Sequence, residues 1–206
     1  MKEIKLFLIR HGKTYCNEKQ LYCGKSDVDL SENGIIELRE NLNETEYQSC
    51  DYYFTSGAKR TNQTLEILCP NVKYDIWENF FEYNFGEFEL KGYDDLKLLK
   101  EYTTWIDDEE GYIKCPNGES KTEFRNRIKE AFINLIQYLS SENIKAAFGV
   151  IHGGSIGMIL EMLYDNSKKF YEWQPKNGSG YELIINIDEN NEFTIDKVIQ
   201  KGGFHD

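Results

Sequence analysis

LFLIRHGKTYCN, residues 6–17, is the stretch from which the fold can be predicted. Its apolar half belongs to a run over residues 4–9 that is typical of a buried strand. The run stops at an arginine, a histidine and a glycine, namely Arg10, His11 and Gly12. A histidine at the end of a buried strand, directly after an arginine, has to be explained by what the rest of the chain places beside it.

Strand-like and helix-like segments alternate along the remainder of the chain. Ser31 is a suitable N-cap for a helix, because Ile35, Leu38 and Leu42 recur after it at helical spacing. Further strands are predicted at residues 51–55, 72–76, 146–151, 181–187 and 193–199, and further helices at 59–68, 93–105, 119–139 and 156–163. Such alternation predicts an α/β fold with helices on both faces of a largely parallel sheet, closed by two antiparallel strands. The whole of residues 1–206 is interpreted as one domain.

A second histidine occupies the position equivalent to His11. His152, followed by Gly153 and Gly154, ends another apolar strand. In a sheet of this kind, ligands bind beyond the carboxyl ends of the strands. Either histidine alone would be interpreted as a core or turn residue, but the matching placement predicts that both line one site. The third histidine, His205, has no such context and is interpreted as a solvated residue near the terminus.

Arg60 is a third candidate for the same site. It follows the second predicted strand and lies in the first turn of a helix, where a cation opposes the helix dipole. A surface arginine would be the ordinary interpretation of such a residue. Beside Arg10, however, it predicts an anion clamp, because the guanidinium fork matches the oxygens of a phosphate group.

Charge and composition argue against several kinds of partner. The formal net charge is -12, which argues against binding to nucleic acid or to anionic lipid through bulk electrostatics. No apolar stretch approaches the roughly 20 residues that span a bilayer, and the first apolar run is too short for a signal peptide. The five cysteines are scattered and show neither metal-ligand nor redox spacing. A cytoplasmic protein with free thiols and without a membrane partner is therefore expected.

Six segments, in chain order, carry the residues of recognisable motifs: RHGKTYCN (10–17), LYCGKSDVDLSENG (21–34), TSGAKRTNQT (55–64), EYNFG (82–86), PNGES (116–120) and IHGGSI (151–156). Together they resemble the histidine phosphatase superfamily, also called phosphoglycerate-mutase-like, over almost the whole chain. One such motif would be weak evidence, whereas six in the right order are specific. The resemblance implies a three-layer α/β/α sandwich around a mostly parallel central sheet.

The resemblance also implies a role for each candidate residue. His11 would be the nucleophile that takes the phosphoryl group on a ring nitrogen, because neutral imidazole has a free lone pair. Arg10, Arg60 and His152 would hold the transferring oxygens and offset their charge. Glu82 would give a proton to the leaving oxygen.

The remaining expectations concern the rim of the site. Glu78 lies in the same predicted loop as the acid but out of register with the motif, so it is the competing proton donor. Asn17 would add a neutral donor, and backbone amides at Cys23, Gly24 and Gly153 would complete the phosphate cradle. No metal or other cofactor is expected, because two arginines and a histidine supply the positive charge.

Within the superfamily, the segment after Glu82 resembles the phosphatase branch, and more narrowly the α-ribazole phosphatases. It lacks the pattern N-x-R-x-Y-G-x-L-x-G that marks an insertion of the mutases. The expected activity is metal-independent hydrolysis of a small-molecule phosphate monoester through a phosphohistidine intermediate, with α-ribazole phosphate as one candidate substrate. Two alternatives stay open, a phosphoglycerate mutase and a non-catalytic module that binds a phosphorylated ligand. The natural substrate and the oligomeric state are not fixed by the sequence.

Overall fold

The computed structural model describes residues 2–44 and 49–202, and these residues form a mixed six-stranded sheet with helices on both sides. The strands are β1 (Lys2–Arg10), β2 (Tyr52–Thr55), β3 (Asp75–Ile76), β4 (Ala146–Ile151), β5 (Gly180–Ile187) and β6 (Phe193–Lys201), in the spatial order β3-β2-β4-β1-β5-β6. The pairs β3/β2, β2/β4 and β4/β1 are parallel, whereas β5 runs antiparallel to both β1 and β6. The predicted largely parallel sheet with two closing antiparallel strands is confirmed.

Helices connect the strands within the described ranges. They are α1 (Tyr15–Glu18), α2 (Glu32–Glu44), α3 (Lys59–Leu68), α4 (Tyr93–Leu96), α5 (Lys100–Ile106), α6 (Lys121–Ser141) and α7 (Gly153–Leu163), with short 3₁₀ turns at Glu78–Phe80 and Gly86–Phe88. The long helix α6 begins with a capping box. The Ser120 side chain accepts from Glu123 N at 3.1 Å, and the Glu123 side chain accepts from Ser120 N at 3.0 Å. This reciprocal pair satisfies two backbone donors that would otherwise lack partners at the helix start.

Alternate residues of β1 face two different helical layers. Leu6 and Leu8 belong to the core that packs against α6 and α7, whereas Phe7 and Ile9 belong to the core that packs against α2 and α3. All four side chains are 3% exposed or less, and full burial of such a side chain contributes about 1.5–3 kcal/mol. Burial on both faces explains the uninterrupted apolar run and produces the expected three-layer α/β/α sandwich.

Two predicted elements are corrected by the structure. The helix predicted over residues 93–105 is divided into α4 and α5, because the backbone at Leu99 is extended, with φ −80° and ψ 128°. The strand predicted over residues 72–76 is confined to Asp75–Ile76 at the edge of the sheet. Both corrections concern segments where short-range apolar spacing overestimated the length of a regular element.

Two helices start near the carboxyl edge of the sheet. The short helix α1, which the sequence analysis did not identify, is capped by Thr14, whose side chain accepts from Asn17 N. The helix predicted to begin within a few residues of His152 begins at Gly153, the next residue. The interpretation of His205 lies outside the described residues. Among the residues that are described, no helix is both long enough and apolar enough to cross a membrane.

Candidate active site

Two adjacent parallel strands bring His11 and His152 together. Arg10 at the end of β1 is in register with Ile151 at the end of β4, so the next residue of each strand emerges at the same edge of the sheet. The two imidazole centroids lie 5.3 Å apart, with an interplanar angle of 68°. His11 is 6% exposed and His152 is fully buried. The predicted meeting of the two histidines is therefore observed.

The hydrogen bond made by His11 fixes its tautomer. Its Nδ1 lies 2.7 Å from the carbonyl oxygen of Gly12, and a carbonyl oxygen can only accept. Nδ1 therefore carries the proton, and Nε2 carries the free lone pair. Burial, followed by the positive charges of Arg60 and Arg10, lowers the pKa of His11 well below its usual value. The ring is thus neutral near pH 7 and has one nitrogen available for attack.

His152 is held in the opposite tautomer. Its Nδ1 lies 3.3 Å from Arg60 Nη2, and because a guanidinium can only donate, Nδ1 accepts. Its Nε2–H then donates to Ser56 Oγ at 2.8 Å, and that hydroxyl lies 3.2 Å from Thr61 Oγ1. Thr61 Oγ1 in turn donates to the Ala58 carbonyl at 2.7 Å. Burial, and next the charge of Arg60, lowers the pKa of His152 well below its usual value, so this ring is neutral as well.

Both arginines of the site have a buried N–H group that makes no hydrogen bond to any residue the structure describes. Arg60, 1% exposed, donates from Nη1 to Ser26 O at 2.8 Å and from Nη2 to Gly24 O at 2.7 Å. Arg10 donates from Nη1 to Pro175 O at 2.9 Å. Within the described part of the chain, the Nε atoms of both arginines are buried and make no hydrogen bond. Leaving a buried charged donor unpaired is costly, so each of these Nε–H groups suits a bound anion as its acceptor.

Glu82 reaches the same edge of the sheet from a loop. Its Oε2 accepts from Gly154 N, in the first turn of α7, at 2.8 Å, and its Oε1 accepts from Tyr83 N at 3.0 Å. A Cβ on Gly154 would lie 2.3 Å from Glu82 Oε1, and a Cβ on Gly153 would lie 2.9 Å from Arg10 Nε. The two glycines after His152 are therefore required for the close approach of the acid and of the arginine.

The loop that carries Glu82 is held by Arg127 of α6, which forms an ion pair with Glu119 just before that helix. Arg127 Nε and Nη2 each lie 2.8 Å from one carboxylate oxygen of Glu119, in a bidentate arrangement. Arg127 Nη1 donates to the carbonyls of Asn79 at 2.9 Å and Phe81 at 2.8 Å, and Nη2 donates to the carbonyl of Glu82 at 3.3 Å. Sequence analysis missed Arg127, although its partner Glu119 lies in the quoted PNGES segment.

Glu78 is separated from this arrangement. It is exposed and begins the 3₁₀ turn Glu78–Phe80, whereas Glu82 is half-buried and contacts α7. The geometry therefore favours Glu82 over the competing acid. Within residues 2–44 and 49–202, no group of three or more His, Cys, Asp or Glu side chains is arranged to hold a metal ion.

The predicted rim donors have mixed outcomes. Asn17 Oδ1 accepts from Thr14 N at 2.9 Å, so the carbonyl end of this amide caps α1. Gly24 N donates to both carboxylate oxygens of Glu89, at 3.1 and 3.0 Å, so the prediction that it is a free phosphate donor is wrong for this geometry. Cys23 lies next to it, and burial, the largest effect, raises the pKa of its thiol to about 12. The suggested phosphate contacts of the Cys23 and Gly153 amides stay predictions.

Comparison with known proteins identifies the family and the relatives that this chain resembles. The model of the histidine phosphatase superfamily (branch 1) matches residues 6–197. A candidate phosphoserine phosphatase of Hydrogenobacter thermophilus is 26% identical over 191 residues, 91% of this chain and 85% of the relative. The adenosylcobalamin/α-ribazole phosphatase of Escherichia coli K12 is 27% identical over 165 residues, 78% of this chain and 79% of that protein. The crystal structure of a phosphoglycerate mutase from Bacillus anthracis shares the fold, with a TM-score of 0.75, 19% identity and coverage of 95% and 92% of the two chains.

Proposed function

The chain belongs to the histidine phosphatase superfamily, and from that premise we propose that it hydrolyses phosphate monoesters of small metabolites through a phosphohistidine formed on His11. The observation that carries the proposal is the pair of buried Nε–H groups of Arg10 and Arg60, which make no hydrogen bond within the described residues. Both arginines act electrostatically on His11. An anion bound between them would therefore lie beside the neutral ring that attacks it.

The first chemical step follows from the tautomer of His11. The Nε2 lone pair attacks phosphorus, and the bond between phosphorus and the leaving oxygen breaks. Glu82 supplies a proton to that oxygen, so the leaving group departs as an alcohol. Arg10 and Arg60 offset the charge on the transferring oxygens, which stabilises the transition state. The Gly12 carbonyl stabilises the positive charge that develops on the ring, because it accepts from Nδ1–H.

Water completes the reaction. Its oxygen attacks phosphorus while the bond between phosphorus and Nε2 breaks, and its proton passes to the Glu82 carboxylate. Inorganic phosphate leaves, and the Nε2 lone pair and the protonated acid are both restored. The same glutamate thus serves as acid in the first step and as base in the second.

His152 supports the pocket in a different way from His11. Its Nδ1 accepts from Arg60 and its Nε2 donates to Ser56, so the ring orients the guanidinium. A bound dianion would favour a proton on Nδ1, since a nearby negative charge raises the pKa of an imidazole. With that proton, His152 would donate directly to a phosphoryl oxygen, as the resemblance implies.

The substrate class is suggested by an aromatic ring beside His152. Phe81 packs on His152 with a centroid distance of 5.6 Å and an interplanar angle of 34°, and Lys25 Nζ lies 5.4 Å from the Phe81 centroid. An aromatic wall with an adjacent cation suits the phosphate ester of an alcohol that carries a ring system. α-Ribazole phosphate, which the name of the Escherichia coli relative points to, is therefore the first substrate to test.

A screen of phosphorylated metabolites in the presence of a chelator tests the proposal. It includes α-ribazole phosphate, phosphoserine, both phosphoglycerates and p-nitrophenyl phosphate, with release of inorganic phosphate as the readout. We expect hydrolysis that survives the chelator and a trapped enzyme phosphate that is acid-labile and base-stable. Loss of activity that a divalent ion restores would contradict the mechanism. Phosphoryl transfer between phosphoglycerates without net release would identify a mutase, and phosphate binding without any turnover would identify a binding module.

A further inference from the structure

Glu89 occupies an anion site made by the backbone of the chain itself. Its Oε1 accepts from Lys25 N at 2.9 Å and from Gly24 N at 3.1 Å, and its Oε2 accepts from Gly24 N at 3.0 Å and from Ser26 N at 3.2 Å. Phe85 N adds a further bond to Oε1 at 3.2 Å. Successive amides that point to one place form a nest that binds anions. The carboxylate therefore holds the conformation of the loop at residues 24–26.

The opposite side of that loop holds Arg60. The carbonyl of Gly24 accepts from Arg60 Nη2 at 2.7 Å, and the carbonyl of Ser26 accepts from Nη1 at 2.8 Å. Both terminal nitrogens of the guanidinium are thus fixed by the loop, while its Nε–H makes no hydrogen bond within the described residues. Because the amides bind Glu89 and the carbonyls bind Arg60, the position of the carboxylate determines where the guanidinium is presented.

The loop at residues 24–26 packs closely against the segment around Glu89. The Glu89 side chain is not the only group that joins these two parts of the chain, because a backbone hydrogen bond also joins them. A Cβ on Gly24 would lie 1.6 Å from the Tyr83 carbonyl oxygen and 2.9 Å from Glu89 Oε1. A separate backbone bond from Leu90 N to Tyr22 O, at 2.8 Å, joins the same two segments. Replacement of the carboxylate should therefore release the loop locally while the chain stays folded.

We infer that Glu89 is a positioning residue for phosphate binding, which acts through the loop at residues 24–26 and Arg60. The inference rests on the proposed function, because it assigns Arg60 to the phosphoryl group. Glu89→Gln keeps the size of the side chain but replaces one acceptor oxygen by a donor, which cannot accept from the loop amides. The substitution should thus weaken ligand binding to the extent that Arg60 contributes to it, and no further.

A double-mutant cycle tests this dependence. Affinity for inorganic phosphate and for vanadate is measured by calorimetry in the wild type, Glu89→Gln, Arg60→Ala and the double variant, together with KM and kcat. We expect Glu89→Gln to weaken binding roughly tenfold in the wild-type background and less than about twofold in the Arg60→Ala background. Glu87→Gln is the matched control, because Glu87 is exposed and accepts only from Asn117 Nδ2, at 2.7 Å, among the bonds of its side chain that the structure shows. It should change affinity by less than about twofold.

An equal loss in both backgrounds would overturn the inference, since Glu89 would then act independently of Arg60. Should Glu89→Gln lower the melting temperature to the assay range, Glu89→Asp provides the second variant: it keeps the charge and shortens the side chain, and the same coupling to Arg60 is expected. Binding is measured without turnover, so a wild type that binds phosphate but hydrolyses nothing contradicts the proposed function and leaves the cycle interpretable. Hydrolysis with an additive cycle contradicts only the role of Glu89.

Discussion

Two parts of the candidate site are built by different means. The anion pocket, formed by Arg10, His11, Arg60 and His152, follows the carboxyl ends of β1 and β4 and the first turn of α3. The acid loop, residues 78–84, is irregular apart from one short 3₁₀ turn, and its position depends on side chains that bind its backbone. Sheet register thus determines where the pocket residues lie, whereas Arg127 and the start of α7 determine where Glu82 lies.

The two parts also differ in their access to solvent. Both histidines of the pocket are buried, and so is Arg60, whereas Glu82 is half-buried. Charges exert stronger forces where water is excluded, which suits residues that hold a phosphoryl group. A proton donor has to be reprotonated in each cycle, which suits a residue that stays within reach of water. This difference predicts that substitutions in the pocket impair phosphorylation of the enzyme by every substrate, while changes in the acid loop impair that step only for substrates whose leaving group needs a proton.

The largest expected effect belongs to the pocket. His11→Ala should reduce turnover by about 10⁴-fold or more on every phosphate monoester, because no other group supplies the attacking lone pair. Circular dichroism should show an intact fold, since His11 follows β1 and, among the described residues, its side chain makes one hydrogen bond, to the Gly12 carbonyl. Acid-stable phosphate on a serine or threonine after quenching the wild type would show that the nucleophile lies elsewhere.

The next effect separates the acid loop from the pocket. Glu82→Gln keeps the shape of the side chain but cannot donate as an acid, so phosphorylation of the enzyme by alkyl phosphates should slow by about 10²–10⁴-fold. The loss on p-nitrophenyl phosphate should be far smaller, because nitrophenolate leaves without a proton. Single-turnover measurements isolate this step from the later attack of water.

Glu78→Gln is the control for that experiment. Glu78 is exposed, whereas the carboxylate of Glu82 accepts from Gly154 N at the start of α7, so Glu78→Gln should show no dependence on the leaving group. A larger loss on alkyl phosphates than on p-nitrophenyl phosphate for Glu78→Gln, without such a difference for Glu82→Gln, would identify Glu78 as the acid. Equal losses on both kinds of substrate for Glu82→Gln would mean that this residue positions the ligand.

The same contrast explains what could be predicted from the sequence. His11 and His152 each end an apolar run and precede glycine, and apolar periodicity is a local signal, so their meeting could be predicted without a structure. Glu82 was identified only through the resemblance, because nothing in its local pattern distinguishes it from Glu78. The roles of Arg127 and Glu89 could not be predicted, since each binds backbone groups far away in the chain. Such bonds produce no periodic pattern in the sequence.

The predictions that differ from the structure failed for a related reason, because they too depended on groups that are distant in the sequence or on local backbone conformation. The helix predicted over residues 93–105 missed the extended backbone at Leu99, an exposed residue between α4 and α5. Gly24 was expected to offer its amide to phosphate, but the carboxylate of Glu89 had to be located before that amide could be recognised as occupied. Motifs identify which residues meet, whereas the partners of individual backbone groups require coordinates.

A smaller effect is expected when Arg127 is replaced, and it tests whether the acid loop can shift independently of the anion pocket. Arg127→Met removes the bonds to the carbonyls of Asn79, Phe81 and Glu82, so the acid loop should shift while the pocket is unchanged. We expect a loss of roughly tenfold in kcat/KM on alkyl phosphates, a smaller loss on p-nitrophenyl phosphate, and an affinity for inorganic phosphate within about twofold of the wild type.

Arg125→Met is the matched control, because Arg125 lies on the same helix and is exposed. It should leave all three quantities unchanged within about twofold. A fall in phosphate affinity with Arg127→Met would show that the acid loop and the anion pocket are mechanically coupled, and the division of the site into two parts would then fail.

The smallest effect concerns the stability of the free protein, and only the pocket should produce it. Burial lowers the pKa of His11 and of His152 in the folded state, whereas both titrate near pH 6.5 in the unfolded chain. As the pH falls through that value, the unfolded chain takes up protons that the folded chain does not, so the free energy of unfolding decreases. Each histidine contributes a slope that approaches about 1.4 kcal/mol per pH unit below pH 6.5.

Urea unfolding from about pH 7.5 to about pH 5.5, in buffer free of phosphate and sulfate, measures this slope while most carboxylates stay ionised. His152→Gln should remove one proton from the slope, whereas His205→Gln should leave it unchanged if that residue is solvated as the sequence predicts.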